Sequence, residues 1–196
     1  MKQTSPGNTY AFIDSQNLNL GVQRMGWKLD WRRFREFLSD KYGVKQAYMF
    51  IGYMSENESM YEYMHELGYL VVLKPTIDVK APHQETTVDA ETGKVSQGES
   101  GDEQPKPMIK GNVDAELVLY AMKELPNYDQ AIIVSGDGDF FSLAEYLEER
   151  GKLANILTPN WQYSSLLKVF EPRIVRLDQL RRQLAYHDRR NKKPKS

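Results

Sequence analysis

Apolar positions fall along the chain in short continuous runs, separated by stretches with helical spacing. YAFID (10–14) reads as a short strand that ends on Asp14. In WRRFREFLSDKY (31–42), Trp31, Phe34, Phe37 and Leu38 recur on one helical face, which predicts an amphipathic helix. KQAYMFIGY (45–53) predicts a second strand and ENESMYEYMHELG (56–68) a helix closed by Gly68. YLVVLKP (69–75) predicts a third strand, stopped by Pro75. Residues 78–108 lose the periodicity and are rich in Pro, Gly, Ser, Thr and Glu, which predicts a long flexible insertion within the domain.

Beyond that insertion, GNVDAELVLYAMKEL (111–125) places Val113, Leu117, Tyr120 and Ala121 on one helical face, with Asn112 as the expected cap. AIIVS (131–135) predicts a fourth strand and FFSLAEYLEERG (140–151) a helix. LANILTP (153–159) predicts a fifth strand, SSLLKVF (164–170) a short helix and RIVRL (173–177) a sixth strand. A last helix carries Leu177, Leu180 and Leu184 into the C-terminal tail. Strands thus alternate with helices and are apolar throughout rather than at every second position. That pattern predicts an α/β fold with a mostly parallel sheet covered on both faces. Ligands of such sheets gather in the crevice outside the carboxyl ends of the strands.

Composition narrows the chemistry. The chain of 196 residues suits one α/β domain, and its lack of cysteine removes disulfides, thiolate zinc sites and cysteine nucleophiles. Three His leave few nitrogen ligands, so oxygen donors and hard ions such as Mg²⁺ or Mn²⁺ are favoured. No apolar stretch reaches bilayer-spanning length and MKQTSPGNTY lacks a signal-peptide core. The expectation is a soluble cytoplasmic protein with no membrane association. The formal net charge of −1 gives no global positive field, yet residues 181–196 carry seven Lys/Arg against the single acid Asp188. Arg181, Arg182, Arg189, Arg190, Lys192 and Lys193 of this tail either hold a nucleic-acid backbone or simply solubilise the terminus.

Four carboxylates then stand out by position. Asp14 ends the first strand, Asp137 and Asp139 follow the fourth in SGDGDF, and Asp114 opens the helix after the insertion. All are expected at one edge of the sheet. Taken alone, SGDGDF fits turn and cap chemistry, since Asp-Gly is a common turn and Asp caps helices. Phe141 and Ser142 stand where an EF-hand calcium loop places an oxygen ligand and a Gly, and the stretch is neither a GxGxxG nor a Walker loop. Clustered carboxylates repel one another, so four in one crevice are reconciled most economically by a divalent cation.

At these residues the chain resembles the NYN domain family, in its LabA-like branch of the PIN-like nucleases. The matching segments are FIDSQNLNLG (12–21), KGNVDAELVLYAM (110–122), VSGDGDFFSLAEYLEERG (134–151) and the SSLLKVF–IVRL ending. The resemblance implies a Rossmann-like, three-layer PIN fold over 8–178. The insertion at 78–108 and the C-terminal helix and basic tail over 179–196 are not part of the matching pattern and are expected to tune substrate or partner choice. It also implies acidic residues holding Mg²⁺ or Mn²⁺ for phosphodiester hydrolysis, usually of RNA. By position, Asp14 matches the first-strand acid, Asn17 its polar partner and Lys110 the basic residue before the helix. Asp114 matches the helix-start acid, and Asp137 and Asp139 the acidic pair after the fourth strand.

The resulting expectation is an endoribonuclease, with RNA as partner and all four aspartates as catalytic residues and metal ligands. Asn17, Lys110, Ser135, Trp161, Arg181 and Arg182 are the candidate substrate contacts. Lys110 is equally well a solvated lysine at a loop end. Trp161 and Tyr163 after the fifth strand, and Trp27, either stack a base or pack in the core. Some relatives act in regulation, so the alternative is a non-catalytic RNA- or protein-binding module that keeps the acidic pocket. The first strand reads IDSQN, without the Asp-x-Asp of phosphoaspartate phosphatases. The apolar faces of 31–42 and 178–190 are covered either within the domain or in a homodimer.

Overall fold

The computed structural model describes residues 7–52, 57–74 and 113–187. The expected insertion at 78–108, Lys110, Asn112 and the tail beyond 187 lie outside the described residues. Six strands form one sheet: β1 (Thr9–Asp14), β2 (Val44–Gly52), β3 (Leu70–Lys74), β4 (Gln130–Val134), β5 (Leu153–Thr158) and β6 (Ile174–Arg176). Their order is β3-β2-β1-β4-β5-β6, and every pairing is parallel. Chain order reverses between β1 and β4, which makes their carboxyl ends the switch point of the sheet.

Alternate residues of each strand feed two separate cores, because successive side chains point to opposite faces. Ala11, Ile13, Met49, Ile132, Val134 and Leu157 face α1 (Ser15–Arg24), α2 (Trp31–Tyr42) and α3 (Glu58–Glu66). Tyr10, Phe12, Tyr48, Phe50, Ile133 and Ile156 face α4 (Asp114–Lys123) and α5 (Phe141–Glu149). The result is a three-layer sandwich with a parallel centre, as the apolar runs predicted. Gly68 follows α3 with φ of 84°, a conformation that favours glycine.

The structure differs from the expectation at three places. Helix α1 was not predicted. Its sequence SQNLNLGVQR buries only Leu18, Gly21 and Val22, so its apolar stripe is too short to register as a periodic pattern. At the other end, Leu177, Leu180 and Leu184 do not lie on one continuous helix. A 3₁₀ turn (Leu177–Leu180) leads into the single turn α6 (Arg181–Leu184), and the chain then becomes extended at Ala185. Ala185 forms an antiparallel bridge with Leu29, and Leu184 is fully buried in the first core. The short helix expected at 164–170 is a 3₁₀ segment, Ser165–Arg173, with Pro172 inside it.

Candidate active site

Asp14 stands at the switch point and serves two elements at once. As the last residue of β1 it is also the N-cap of α1, its Oδ1 accepting the Asn17 N–H at 3.0 Å. Its Oδ2 accepts from the hydroxyl of Ser135, the first residue beyond β4, at 3.2 Å. Both are enclosed, with Asp14 5% and Ser135 1% exposed. Ser135 Oγ in turn accepts the Asp137 N–H at 3.1 Å, while Asn17 Oδ1 accepts the Gly136 N–H at 2.9 Å. Thus the carboxyl ends of β1 and β4 are joined by one polar network whose members each satisfy a neighbour.

The SGDGD loop is held from its other side by the segment after β5. Ser164 donates its N–H to the Gly136 carbonyl at 2.9 Å. A Cβ at Gly138 would lie 2.4 Å from Ser164 Oγ, so only glycine permits this approach. Asp137 caps the 3₁₀ turn Gly138–Phe140, its Oδ1 accepting the Asp139 N–H at 3.1 Å.

Asp14, Asp114 and Asp137 line one cleft of about 290 Å³, together with Gln16, Asn17, Leu20 and Val113. Asp114 reaches it because the first turn of α4 is brought to the carboxyl edge, where Lys74 at the end of β3 pairs with Glu116 at 2.9 Å. Burial raises the pKa of Asp14 above the usual carboxylate value. The negative charges of Asp114 and Asp137 raise it further, while the bonds from Asn17 and Ser135 oppose the shift. Asp14 therefore senses both other acids across the cleft. No three His, Asp or Glu side chains among the described residues are grouped closely enough to hold one ion between them.

The remaining predicted residues divide. Asp139 is exposed and does not line the cleft. Trp161 is 58% exposed, on a loop anchored to α1: Asn160 Nδ2 donates to the Gly21 carbonyl at 2.8 Å and its Oδ1 accepts the Gln162 N–H at 2.7 Å. Tyr163 is half-buried against the core of the α4–α5 face. Trp27 is not a rim aromatic: it is 6% exposed and packs in the core beneath α1 and α2. Arg181 and Arg182 lie on α6 and do not line the acidic cleft. Sequence reasoning missed Gln16, Leu20 and Asn160. The signal for the first two was Asp14 itself, since an Asp before Ser-Gln-Asn is a helix N-cap.

The NYN domain family model matches residues 8–178. The low amplitude and bright protein LabA of Synechococcus elongatus is 23% identical over 180 residues, covering 90% of this chain and 87% of that protein. A crystal structure of a Vibrio parahaemolyticus protein of unknown function superposes with a TM-score of 0.63 at 21% identity. It covers 90% of this chain and 97% of that one, and the likeness is one of fold. No helix among the described residues is long and apolar enough to cross a membrane.

Proposed function

We propose that this chain, which belongs to the NYN domain family, is an endoribonuclease that hydrolyses RNA phosphodiester bonds at a Mg²⁺- or Mn²⁺-dependent site in the Asp14 cleft. Members of that family are typically nucleases, which supports a nuclease-like or RNA-related module. The observation that carries the finer reading is the convergence of Asp14, Asp114 and Asp137 on one cleft at the switch point of the sheet.

Burial together with the charges of Asp114 and Asp137 raises the proton affinity of Asp14. The carboxylate donors present are oxygens, which fits a hard divalent cation. Asp14, Asp114 and Asp137 would hold it, in part through its waters, as suits Mg²⁺. Such an ion, when held by these residues, would supply charge neutralisation on the phosphate and lower the pKa of a water. The protein supplies the positioning. Asp14 is fixed by its two hydrogen bonds, and the Asn17–Gly136 bond sets the SGDGD loop against α1. Asp139 lies outside the cleft lining, and any part it takes in orienting a water is reached through the SGDGD loop it shares with Asp137. Trp161 offers a ring face to a base of the strand.

Cleavage of an end-labelled single-stranded RNA in Mn²⁺, Mg²⁺ or EDTA, beside the Asp114→Asn and Asp139→Asn proteins, tests the reading. Metal-dependent cutting lost in Asp114→Asn is expected. Cutting that persists in EDTA, or at the wild-type rate in Asp114→Asn, removes the assigned site.

The absence, among the described residues, of three acids grouped for one ion favours a second reading. In it the chain is an RNA- or protein-binding regulatory module that retains the acidic pocket. RNA binding undiminished by EDTA, with no cleavage in any metal, is its signature.

A further inference from the structure

Helix α1 is capped by Asp14 in the acidic cleft and ends at Arg24, so about 15 Å of helix axis separates Asp14 from the helix end that leads into Gly26–Lys28. A second cleft of about 570 Å³ lies there, lined by Trp27, Lys28, Arg181, Arg182, Tyr186 and His187. Among the described residues its lining holds three fixed cations and no carboxylate. On a chain whose net charge is −1, that is a local concentration of positive charge.

Its frame is held by backbone contacts. The Lys28 carbonyl accepts the Tyr186 N–H at 2.8 Å and the Leu184 carbonyl accepts the Asp30 N–H at 2.9 Å, on either side of the Leu29–Ala185 bridge. Arg181 Nη2 donates to the Gly26 carbonyl at 3.1 Å, which fixes one guanidinium at the edge. The buried Trp27 packs beneath, and its indole N–H has no acceptor among the described residues. Tyr186, by contrast, is 55% exposed beside the cations.

We infer that this cleft is a second binding site, which holds phosphate groups of single-stranded RNA at the far end of α1 from the acidic cleft. The identity of its ligand rests on the ribonuclease reading; its geometry does not. Guanidinium forks match phosphate oxygens, and the exposed ring of Tyr186 beside the cations offers a face to an unstacked base. A lipid headgroup or a free anion would use the cations but not that ring.

The test is RNA affinity measured in EDTA on the full chain, by fluorescence anisotropy of a labelled single-stranded RNA, so that no cleavage is required. The double variant Lys28→Ala, Arg182→Ala removes two exposed cations of the cleft. A control, Lys41→Ala with Lys45→Ala, removes two exposed cations where α2 gives way to β2, neither of which lines the cleft. The cleft variant is expected to bind about tenfold more weakly and to reduce the slope of log affinity against log salt by about 1.4. The control is expected to bind as the wild type does, and melting temperatures should agree among all three.

Equal losses in the two variants, or none in either, overturn the inference. So does binding to phosphatidylserine vesicles that depends on Lys28 and Arg182 when RNA binding does not. Cleft-dependent RNA binding without cleavage in any metal would sink the ribonuclease reading and leave this one standing. Cleavage with RNA affinity unchanged in the cleft variant would do the reverse.

Discussion

Asn17 and Gly136, 119 residues apart in sequence, are joined at 2.9 Å by the Asn17 side-chain oxygen and the Gly136 N–H. Asn17 lies in the first turn of α1 and Gly136 in the loop after β4, so this bond ties the two walls of the switch-point crevice. Replacing Asn17 by Ala leaves a part-buried amide without its acceptor, which costs about 1–2 kcal/mol. Urea unfolding of Asn17→Ala should show that loss with an unchanged m-value. Asn17→Asp keeps an acceptor but adds a fourth negative charge at the cleft, so its deficit should shrink when Mn²⁺ is added. A fully stable Asn17→Ala protein would show that the loop is held without this bond.

The raised pKa of Asp14 makes stability depend on pH in a defined direction. Burial, with Asp114 and Asp137 across the cleft, disfavours the charged form in the folded protein. Between the ordinary Asp value and the raised one, the folded state binds more protons than the unfolded state, so stability falls as pH rises through that window. Asp14→Asn removes the charge and retains capping ability, because Asn and Asp serve almost equally at an N-cap. In EDTA the variant should therefore be more stable than wild type above the window and should lose that advantage below it. Urea midpoints at a series of pH values decide the matter. A wild-type protein that gains stability on passing upward through the window contradicts the assigned burial and repulsion.

Much of this site was legible from the chain because strand ends are easy to place. YAFID and AIIVS are short and wholly apolar, and whatever follows each must emerge at the same edge of a parallel sheet. That sufficed to bring Asp14, Asp114 and Asp137 to one crevice. Asp139 behaves differently for a tertiary reason. Close approach of Ser164 to Gly138 accompanies a 3₁₀ turn at Gly138–Phe140, and the side chain of Asp139 is left in solvent. Nothing in the spacing of Asp137 and Asp139 encodes Ser164. Trp27 was ambiguous in the sequence because α1 was unseen, and the segment after an unseen helix has no assigned face. The Asn160 anchor was likewise hidden, since its partner is a backbone carbonyl on that helix.

Gly21 on α1 exposes a competition between helix propensity and packing. Propensity alone favours Ala over Gly in a helix interior by up to about 1 kcal/mol. A Cβ at Gly21, however, would lie 2.4 Å from Cβ and 2.8 Å from Cγ of Pro159, a rigid ring that cannot turn aside. Overpacking of this kind costs about 1–3 kcal/mol, so the clash wins and Gly21→Ala should be destabilised. The shift also strains the Asn160–Gly21 bond and with it the loop that carries Trp161. A thermal midpoint raised by Gly21→Ala would mean that α1 and the Pro159 loop separate at little cost.

Trp161 separates function from stability most cleanly. At 58% exposure, on a loop anchored through Asn160, its ring makes few of the contacts that give a buried Trp its weight in a core. Truncation of such a surface residue usually changes stability by no more than about 0.5 kcal/mol. A base stacked on the ring contributes about 1–3 kcal/mol by alanine substitution. Trp161→Ala should therefore melt with the wild type yet bind single-stranded RNA about 5- to 150-fold more weakly, a ratio that follows from that energy range. Trp161→Phe, which keeps a ring face, should recover part of the loss, whereas Trp161→Leu, apolar but without one, should not. Equal rescue by Phe and Leu would assign the residue to apolar contact with a partner rather than to base stacking. An unchanged affinity in all three would remove Trp161 from the RNA path, leaving the acidic cleft to be reached from the side of α4.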